Sequence, residues 1–297
     1  MRFGLFIPQG WRLDLVGIDP AAQWNVMRDL ATAADAGPWE SVWVYDHFHT
    51  VPEPTEEATH EAWTLMSAFA ASTSRIRLGQ MCTAMGYRNP AYLAKVAATI
   101  DLISGGRVEM GIGAGWYEHE TVAYGYDFER PALRIGKLDE AVQIIKGMWT
   151  QNHFQFQGKH YTVGHGEVKD YGGNKVELQG AINHPKPIQS PHPPMWIAGG
   201  GEQLTLKTVA RYADYSNFGG SLEQVQHKNR VLDEHCDKQG RDPADITRTM
   251  NINVMLGTDQ QIEKLLRESG RSDQHIAAMK GMLFPTDPQA LVDKIAE

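Results

Sequence analysis

Cysteine is nearly absent from this 297-residue chain: Cys82 and Cys236 are its only two, far apart and forming no CxxC pair. That argues against a disulfide-stapled fold and a thioredoxin-like redox motif, and it fits free thiols in the cytoplasm. No apolar run reaches about 18 residues, so no transmembrane helix is expected. The N-terminus opens directly on the strand-like Phe3-Gly4-Leu5-Phe6-Ile7, not on a cationic stretch followed by an apolar one, and a signal peptide is not expected. Basic residues number 28 against 36 acidic, a net charge of −8, and no basic run occurs. Nucleic acid and anionic membrane surfaces are poor partners for such a chain. GxSxG and the P-loop are also absent, and with them the usual signatures of hydrolases and nucleoside triphosphatases. His184 and His192 lack the spacing of a metal site, and no metal is assigned.

What is present is alternation. Strand-like runs occur at Arg2–Ile7, Ser41–Tyr45, Ile76–Met81, Val108–Ile112, Met195–Ala198, Tyr212–Asn217 and Thr249–Leu256. Helical patterns lie between them at Pro20–Ala36, His60–Thr73, Ala91–Ser104, Pro131–Thr150, Glu202–Arg211, Ser221–Gln239 and Asp259–Ser269. Parallel strands with crossover helices follow from this order, and the expected fold is α/β, a (β/α)₈ TIM barrel forming one domain over residues 1–297. Two regions break the rhythm. Gln151–Pro194 reads as an insertion with a hairpin around Phe154–Val163 turning at Gly158-Lys159, and a long insertion of this kind is expected to cover or shape a site. After Phe284-Pro285-Thr286-Asp287-Pro288 a helix starts and the chain stops at Glu297, so the strand that would follow that helix is expected to be missing.

The segment Arg77–Trp116 reads as strand, helix, strand. The helix's apolar face is Leu93, Val96, Ala97, Ile100 and Ile103, and Ser104-Gly105-Gly106 stops it. Gly111, Gly113 and Gly115 then fall at alternate positions, a spacing that leaves room for a flat ligand or for tight strand packing. The GxGxxG dinucleotide fingerprint is not satisfied here. Asp46-His47-Phe48-His49 follows a strand end, where a His beside a carboxylate can act as an acid–base pair. From the residues alone, a loop-capping Asp with two solvated histidines is the simpler account. Gly199-Gly200-Gly201-Glu202 follows another strand and opens a helix, a place suited to phosphate, with a plain loop as the equal alternative. Trp11, Trp43, Trp63 and Trp116 suit either an aromatic site or core packing.

Taken together, these segments resemble the bacterial luciferase-like superfamily, and within it the actinobacterial oxidoreductases that use the deazaflavin coenzyme F420. The resemblance rests on FIPQG at Phe6–Gly10, SVWVYDHFH at Ser41–His49 and RIRLG at Arg75–Gly79. It continues through YRNPAYLAK at Tyr87–Lys95, D-x-x-SGGR at Asp101–Arg107, GIGAGW at Gly111–Trp116 and PMWIAGGGE at Pro194–Glu202. It implies a TIM barrel with the deazaflavin ring at the carboxyl ends of the strands. By resemblance Asp46 and His47 lie beside the ring, with His47 as the proton donor and Asp46 holding the cofactor and orienting His47. Thr83 contacts the ring, and a non-prolyl cis peptide at Met81–Cys82 backs it. Ala114, Gly115 and His119 also contact the cofactor, and Gly199, Gly200 and Gly201 form the phosphate loop. Trp11 and Trp116 fall at the substrate pocket. Trp116 stands where the family's sugar-phosphate dehydrogenase carries a catalytic Glu, so that substrate does not transfer.

The expected activity is hydride transfer between F420 and a small organic substrate held under Gln151–Pro194, in a homodimer. An FMN-dependent monooxygenase and a non-catalytic cofactor-binding or storage protein are the alternatives.

Overall fold

The computed structural model describes residues 1–255, 257–268, 273–274, 276–277, 283–284 and 287–296. The chain forms two compact units, Met1–Thr249 and Met250–Glu297.

In the first unit, β1 (Gly4–Phe6), α1 (Pro20–Ala36), β2 (Ser41–Val44), α2 (Ala62–Ser72) and β3 (Arg77–Gln80) alternate as expected. A short β4 (Thr83–Ala84) follows, then α3 (Pro90–Ser104), β5 (Val108–Gly113), α4 (Glu118–Ala123) and α5 (Pro131–Thr150). Two hairpins come next, β6 (Phe156–Gln157) with β7 (Thr162–Val163) and β8 (Glu167–Lys169) with β9 (Lys175–Glu177). The unit ends with β10 (Met195–Ala198), α6 (Thr205–Tyr212), β11 (Tyr215–Asn217), α7 (Leu222–Gln239) and β12 (Thr247–Thr249). Strands β1, β2, β3, β5, β10, β11 and β12 lie side by side in that order, all parallel, with β4 also pairing β5. This is the curled sheet of a TIM barrel, with helices on its outer face.

Local sequence explains the elements. Asn89 accepts hydrogen bonds from the Ala91 and Tyr92 amides at the start of α3, Pro90 takes the first helical position, and Gly105 closes the helix at φ 69°. The buried face of α3 is Leu93, Ala94, Ala97, Ala98, Ile100, Asp101 and Ser104. It is rotated from the expected one: Ile103 is exposed and Val96 only half-buried, because small alanines let α3 approach its neighbours closely. The DxxSGGR motif is structural. Asp101 accepts from the Ile188 and Gln189 amides, and Arg107 donates to the carbonyls of Ala70, Thr73, Ile76 and Ser104.

The second unit holds β13 (Asn253–Val254), α8 (Asp259–Glu268), β14 (Leu283–Phe284) and α9 (Pro288–Ala296), with β13 and β14 parallel. The single strand expected over Thr249–Leu256 is therefore two short ones, β12 and β13. The Thr249 hydroxyl donates to the Ser216 carbonyl at 2.7 Å, where the first ladder ends. Leu256, Ser269 and Glu297, the ends of three expected segments, lie outside the described residues. The strand expected to be missing is the one that would follow the last helix; β14, which precedes that helix, is too short to stand out in the sequence.

The insertion departs most from expectation. The hairpin at Gly158-Lys159 is present, and Glu140 of α5 accepts from the Lys159, His160 and Tyr161 amides. The second hairpin carried no strong alternation and was not anticipated. The insertion leaves from the end of α5 and returns to the start of β10. Its Gln189 reaches Asp101 and the Val108 carbonyl at the start of β5. Those contacts lie at the amino ends of the strands, so the insertion is anchored away from the carboxyl-end rim and braces the helical layer there.

Candidate active site

The loops following β1, β2, β3, β5 and β10 all emerge at the carboxyl ends of parallel strands. His47, three residues past β2, lies at this rim. Its Nδ1 is 2.6 Å from Glu120 Oε1, and the Glu120 side chain is only 1% exposed. Glu120 is held by further donors: the Phe48 amide at 2.8 Å, the His49 amide at 3.3 Å and the Tyr87 hydroxyl at 2.7 Å. Burial opposes ionisation of Glu120, but His47 and these donors outweigh it and keep the carboxyl below its ordinary range. An ionised carboxylate only accepts, so Nδ1 of His47 is the donor and Nε2 is left for exchange. Burial and Glu120 push the Tyr87 hydroxyl up, so it too remains a donor.

Aromatic rings fix the imidazole. Trp11 stacks on it at 4.3 Å with planes 2° apart, and Trp116 and Tyr117 approach at 5.7 Å and 6.0 Å in edge geometry. Tyr45 packs behind Trp11 at 4.1 Å.

Asp46 is buried, and the part of its expected role that concerns orienting His47 is corrected. It accepts two hydrogen bonds from Arg88, at 2.6 and 3.0 Å, and one from the Ala84 amide at 2.9 Å. Burial pushes its carboxyl up, opposed by Arg88. Arg88 also reaches Glu61 at 2.7 Å. The residue that orients His47 is thus Glu120, while Asp46 ties the loops after β2 and β3 together. The sequence carries a weak signal for Glu120, one of two acids, with Glu118, in the first turn after GIGAGW.

The Met81–Cys82 peptide is cis, as the resemblance implies. Thr83 is buried and its hydroxyl donates to Gln80 Oε1 at 2.7 Å. Cys82 is half-buried, and burial with the Asp46 charge pushes its thiol up to about 12, so it stays a neutral thiol near pH 7. Two of the three alternate glycines face this segment. A Cβ on Gly111 would stand 1.8 Å from the Gln80 carbonyl oxygen, and one on Gly113 would stand 2.6 Å from Cys82 Sγ. These glycines clear space for the protein's own chain, so the expectation of ligand room is corrected at both. Gly115 is different: at φ +76°, its Cβ would meet only Ala84, at 3.7 Å. With Ala84, Tyr87, Ala114 and Arg134 it lines a cavity of about 250 Å³.

His119 is exposed, and its Nδ1 lies 3.2 Å from that of His49. The glycine loop sits beside β5, since Ile197 pairs with Ile112. Gly199 has φ +118°, and its amide donates to the Asn217 carbonyl at 2.9 Å. The helix expected to open at Glu202 begins at Thr205, so the three glycines precede it by a turn. Lys228 of α7, missed by sequence reasoning, points its ammonium at this loop: a Cβ on Gly200 would lie 2.6 Å from Nζ. Among the described residues, no cluster of three or more metal-ligating side chains exists.

Comparison with known proteins gives a consistent result. The profile of the luciferase-like monooxygenase family matches residues 1–289. The F420-dependent glucose-6-phosphate dehydrogenase of Amycolatopsis mediterranei (strain U-32) is 30% identical over 267 residues, 86% of this chain and 72% of that one. A phthiodiolone/phenolphthiodiolone dimycocerosates ketoreductase of Mycobacterium sp. (strain JLS) is 30% identical over 259 residues, 80% of this chain and 63% of that one, so the chain spans under two thirds of the ketoreductase. In structure, an F420-dependent secondary alcohol dehydrogenase in complex with an F420-acetone adduct superposes with TM-score 0.76 at 20% identity, over 99% of this chain and 88% of that one.

Proposed function

This chain belongs to the luciferase-like monooxygenase family, and we propose that within it the protein is a coenzyme F420-dependent oxidoreductase acting on a small organic substrate. The observation that carries the reading is the buried Glu120–His47 pair, set at the carboxyl-end rim beside the cis Met81–Cys82 segment. The F420-dependent relatives support the choice of cofactor.

The residues present fit a deazaflavin. Among the described residues, Gln80 Nε2 and Trp11 Nε1 are buried donors without a hydrogen-bond partner, next to Thr83 and His47, and a heterocycle rich in carbonyl oxygens supplies acceptors for such groups. Gly115 and Ala114 line open space on the other side. Gly199–Gly201 and Lys228 suit a phosphoryl group. Bound F420 supplies hydride exchange at C5.

The chain's part is positioning and the proton. Glu120 fixes Nδ1 as the donor and leaves Nε2 facing the exchange. Trp11 holds the ring plane, and Nε2 gives a proton to the substrate oxygen or takes one from it, depending on direction. Cys82, a neutral thiol, takes no part as a nucleophile.

The test is titration of the purified protein with F420 and with FMN, following each cofactor's absorbance. F420 is expected to bind at least about tenfold more tightly, a difference of roughly 1.4 kcal/mol. Tight FMN binding without F420 binding, with oxygen uptake on addition of reduced flavin, makes the protein a monooxygenase instead. F420 binding with no turnover of any carbonyl or alcohol makes it a cofactor carrier.

A further inference from the structure

The geometry points to a substrate class for this site: an uncharged, planar, conjugated carbonyl compound that lies flat on Trp116. The inference rests on the reading above for the role of His47.

Of the eight tryptophans in the chain, Trp116 is the one that is exposed, at 61%. Its ring stacks on Tyr117 at 5.2 Å with planes 19° apart, so one face is backed. Among the described residues no ring or cation stacks on the other face, although the indole stands 5.7 Å from His47 in edge geometry. A large apolar ring left in water beside the proton-exchanging imidazole is a platform for a ligand of similar shape. A conjugated carbonyl keeps its oxygen in the plane of the ring it belongs to. A molecule lying flat on Trp116 therefore brings that oxygen to the imidazole without lifting off the platform.

Charge sets the other half of the class. Residues 45–61 and 114–128, the two loops that bring His47 and Trp116 to the rim, contain no lysine or arginine. They carry Glu53, Glu56, Glu57, Glu118 and Asp127 instead, besides the engaged Asp46, Glu61 and Glu120. Four cationic side chains lie near: Arg134, over the Phe128 ring at 4.1 Å and donating to the Glu129 carbonyl, and Lys137, paired with Glu129, line the adjoining cavity. Arg88 is closed on Asp46 and Glu61, and Arg12 lies 5.0 Å over the Trp11 ring with Asp14 beside it. His49 and His119 hold each other. A phosphorylated or carboxylate-bearing substrate meets negative potential here, whereas an uncharged carbonyl does not.

The probes are benzylideneacetone, its para-carboxylate, the saturated 4-cyclohexyl-2-butanone of similar size, and glucose 6-phosphate. Binding is measured by calorimetry with and without F420, and kcat/KM with reduced F420. The planar neutral ketone is expected to bind best. Trp116→Ala should weaken it about tenfold, as loss of a stacked aromatic pair plus its buried area implies. The cyclohexyl ketone should weaken less than about threefold, and Trp116→Phe should restore most of the loss. Equal losses for the planar and saturated ketones, or binding of either anion as tight as that of benzylideneacetone, overturns the inference. So does a matching loss of F420 affinity in Trp116→Ala, which would make Trp116 a cofactor residue. If the wild-type protein does not bind F420, the functional reading fails, and calorimetry on the cofactor-free protein still decides the stacking.

Discussion

Replacing Glu120 with glutamine tests the site at its centre. The carboxylate accepts from four donors, His47 Nδ1 and Tyr87 at one oxygen and the Phe48 and His49 amides at the other. Glutamine keeps one acceptor oxygen and turns the other position into an NH₂ donor. The two backbone amides cannot become acceptors, so the amide oxygen must face them. The NH₂ then faces His47 and Tyr87, and imidazole can oblige only by giving up its Nδ1 proton. The variant therefore trades a charge-assisted bond for a neutral one and selects the wrong tautomer. Charge-assisted bonds are worth about 1.5–3 kcal/mol and neutral ones about 0.5–1.5, a difference on the order of 1–2 kcal/mol. Converted at about 1.4 kcal/mol per decade, this is a fall in kcat of roughly 5–30-fold. The assay is reduction of benzylideneacetone by reduced F420, followed by the return of deazaflavin absorbance, beside F420 titration and thermal melting. The cofactor Kd should move less than about threefold, because Glu120 lies behind His47. A folded Glu120→Gln protein with wild-type kcat refutes the positioning role.

Other perturbations separate structural parts of the rim from functional ones. Gly111→Ala should cost several kcal/mol, on the order of 3 or more, because its Cβ meets a backbone carbonyl that cannot rotate away, whereas Gly115→Ala should cost about 1 kcal/mol from its positive φ; chemical denaturation compares them. Arg88→Met strands the buried Asp46 carboxylate and should destabilise the fold by about 3–5 kcal/mol at pH 7. That loss should shrink as pH falls, since burial already pushes the Asp46 carboxyl up and protonation relieves it. Asp35 accepts from the Ser74, Arg75 and Ile76 amides; burial opposes its charge, but these donors lower its carboxyl from 3.8 to about 2. Its contribution is therefore complete above pH 4 and lost as pH falls towards 2, and Asp35→Ala should cost about 1–2 kcal/mol at pH 7 and little at pH 2, read by urea melts at both.

The fold was legible because its signals are local. Pro20–Ala36 and Pro131–Thr150 carry a proline at the first helical position, and the structure has those helices at the same bounds. Met195–Ala198 is a short apolar run framed by Pro194 and Gly199, and it too keeps its limits. What was not legible depended on pairing between distant segments. Leu283–Phe284 is two residues long, and only its partner Asn253–Val254 makes it a strand. For the insertion, chain order rather than composition carries the information. The insertion follows a helix and precedes a strand, and such a connection lies at the amino ends of a parallel sheet, away from the rim where βα loops build sites.

The site divides along the same line. The resemblance supplied His47, the cis Met81–Cys82 peptide, Thr83 and the glycine loop, because motif residues are contiguous. Glu120 and Lys228 lie outside its motifs, and Arg88, though inside YRNPAYLAK, has no role assigned by it, since each acts on a residue far along the chain: Glu120 reaches His47 from 73 positions away and Arg88 reaches Asp46 from 42. Composition cannot show such pairs, because any of the 36 acidic residues is a candidate partner until the fold selects one. The alternate glycines show the converse error. Their spacing announced missing side chains correctly, but not what fills the space, and at Gly111 and Gly113 the occupant is the Gln80–Cys82 segment of the protein itself. With those two positions accounted for structurally, Gly115 is the one of the three that opens on a cavity, which it lines with Ala84 and Ala114. Trp116, next in the chain, is exposed, so the proposed substrate class rests on its free surface rather than on the glycine spacing.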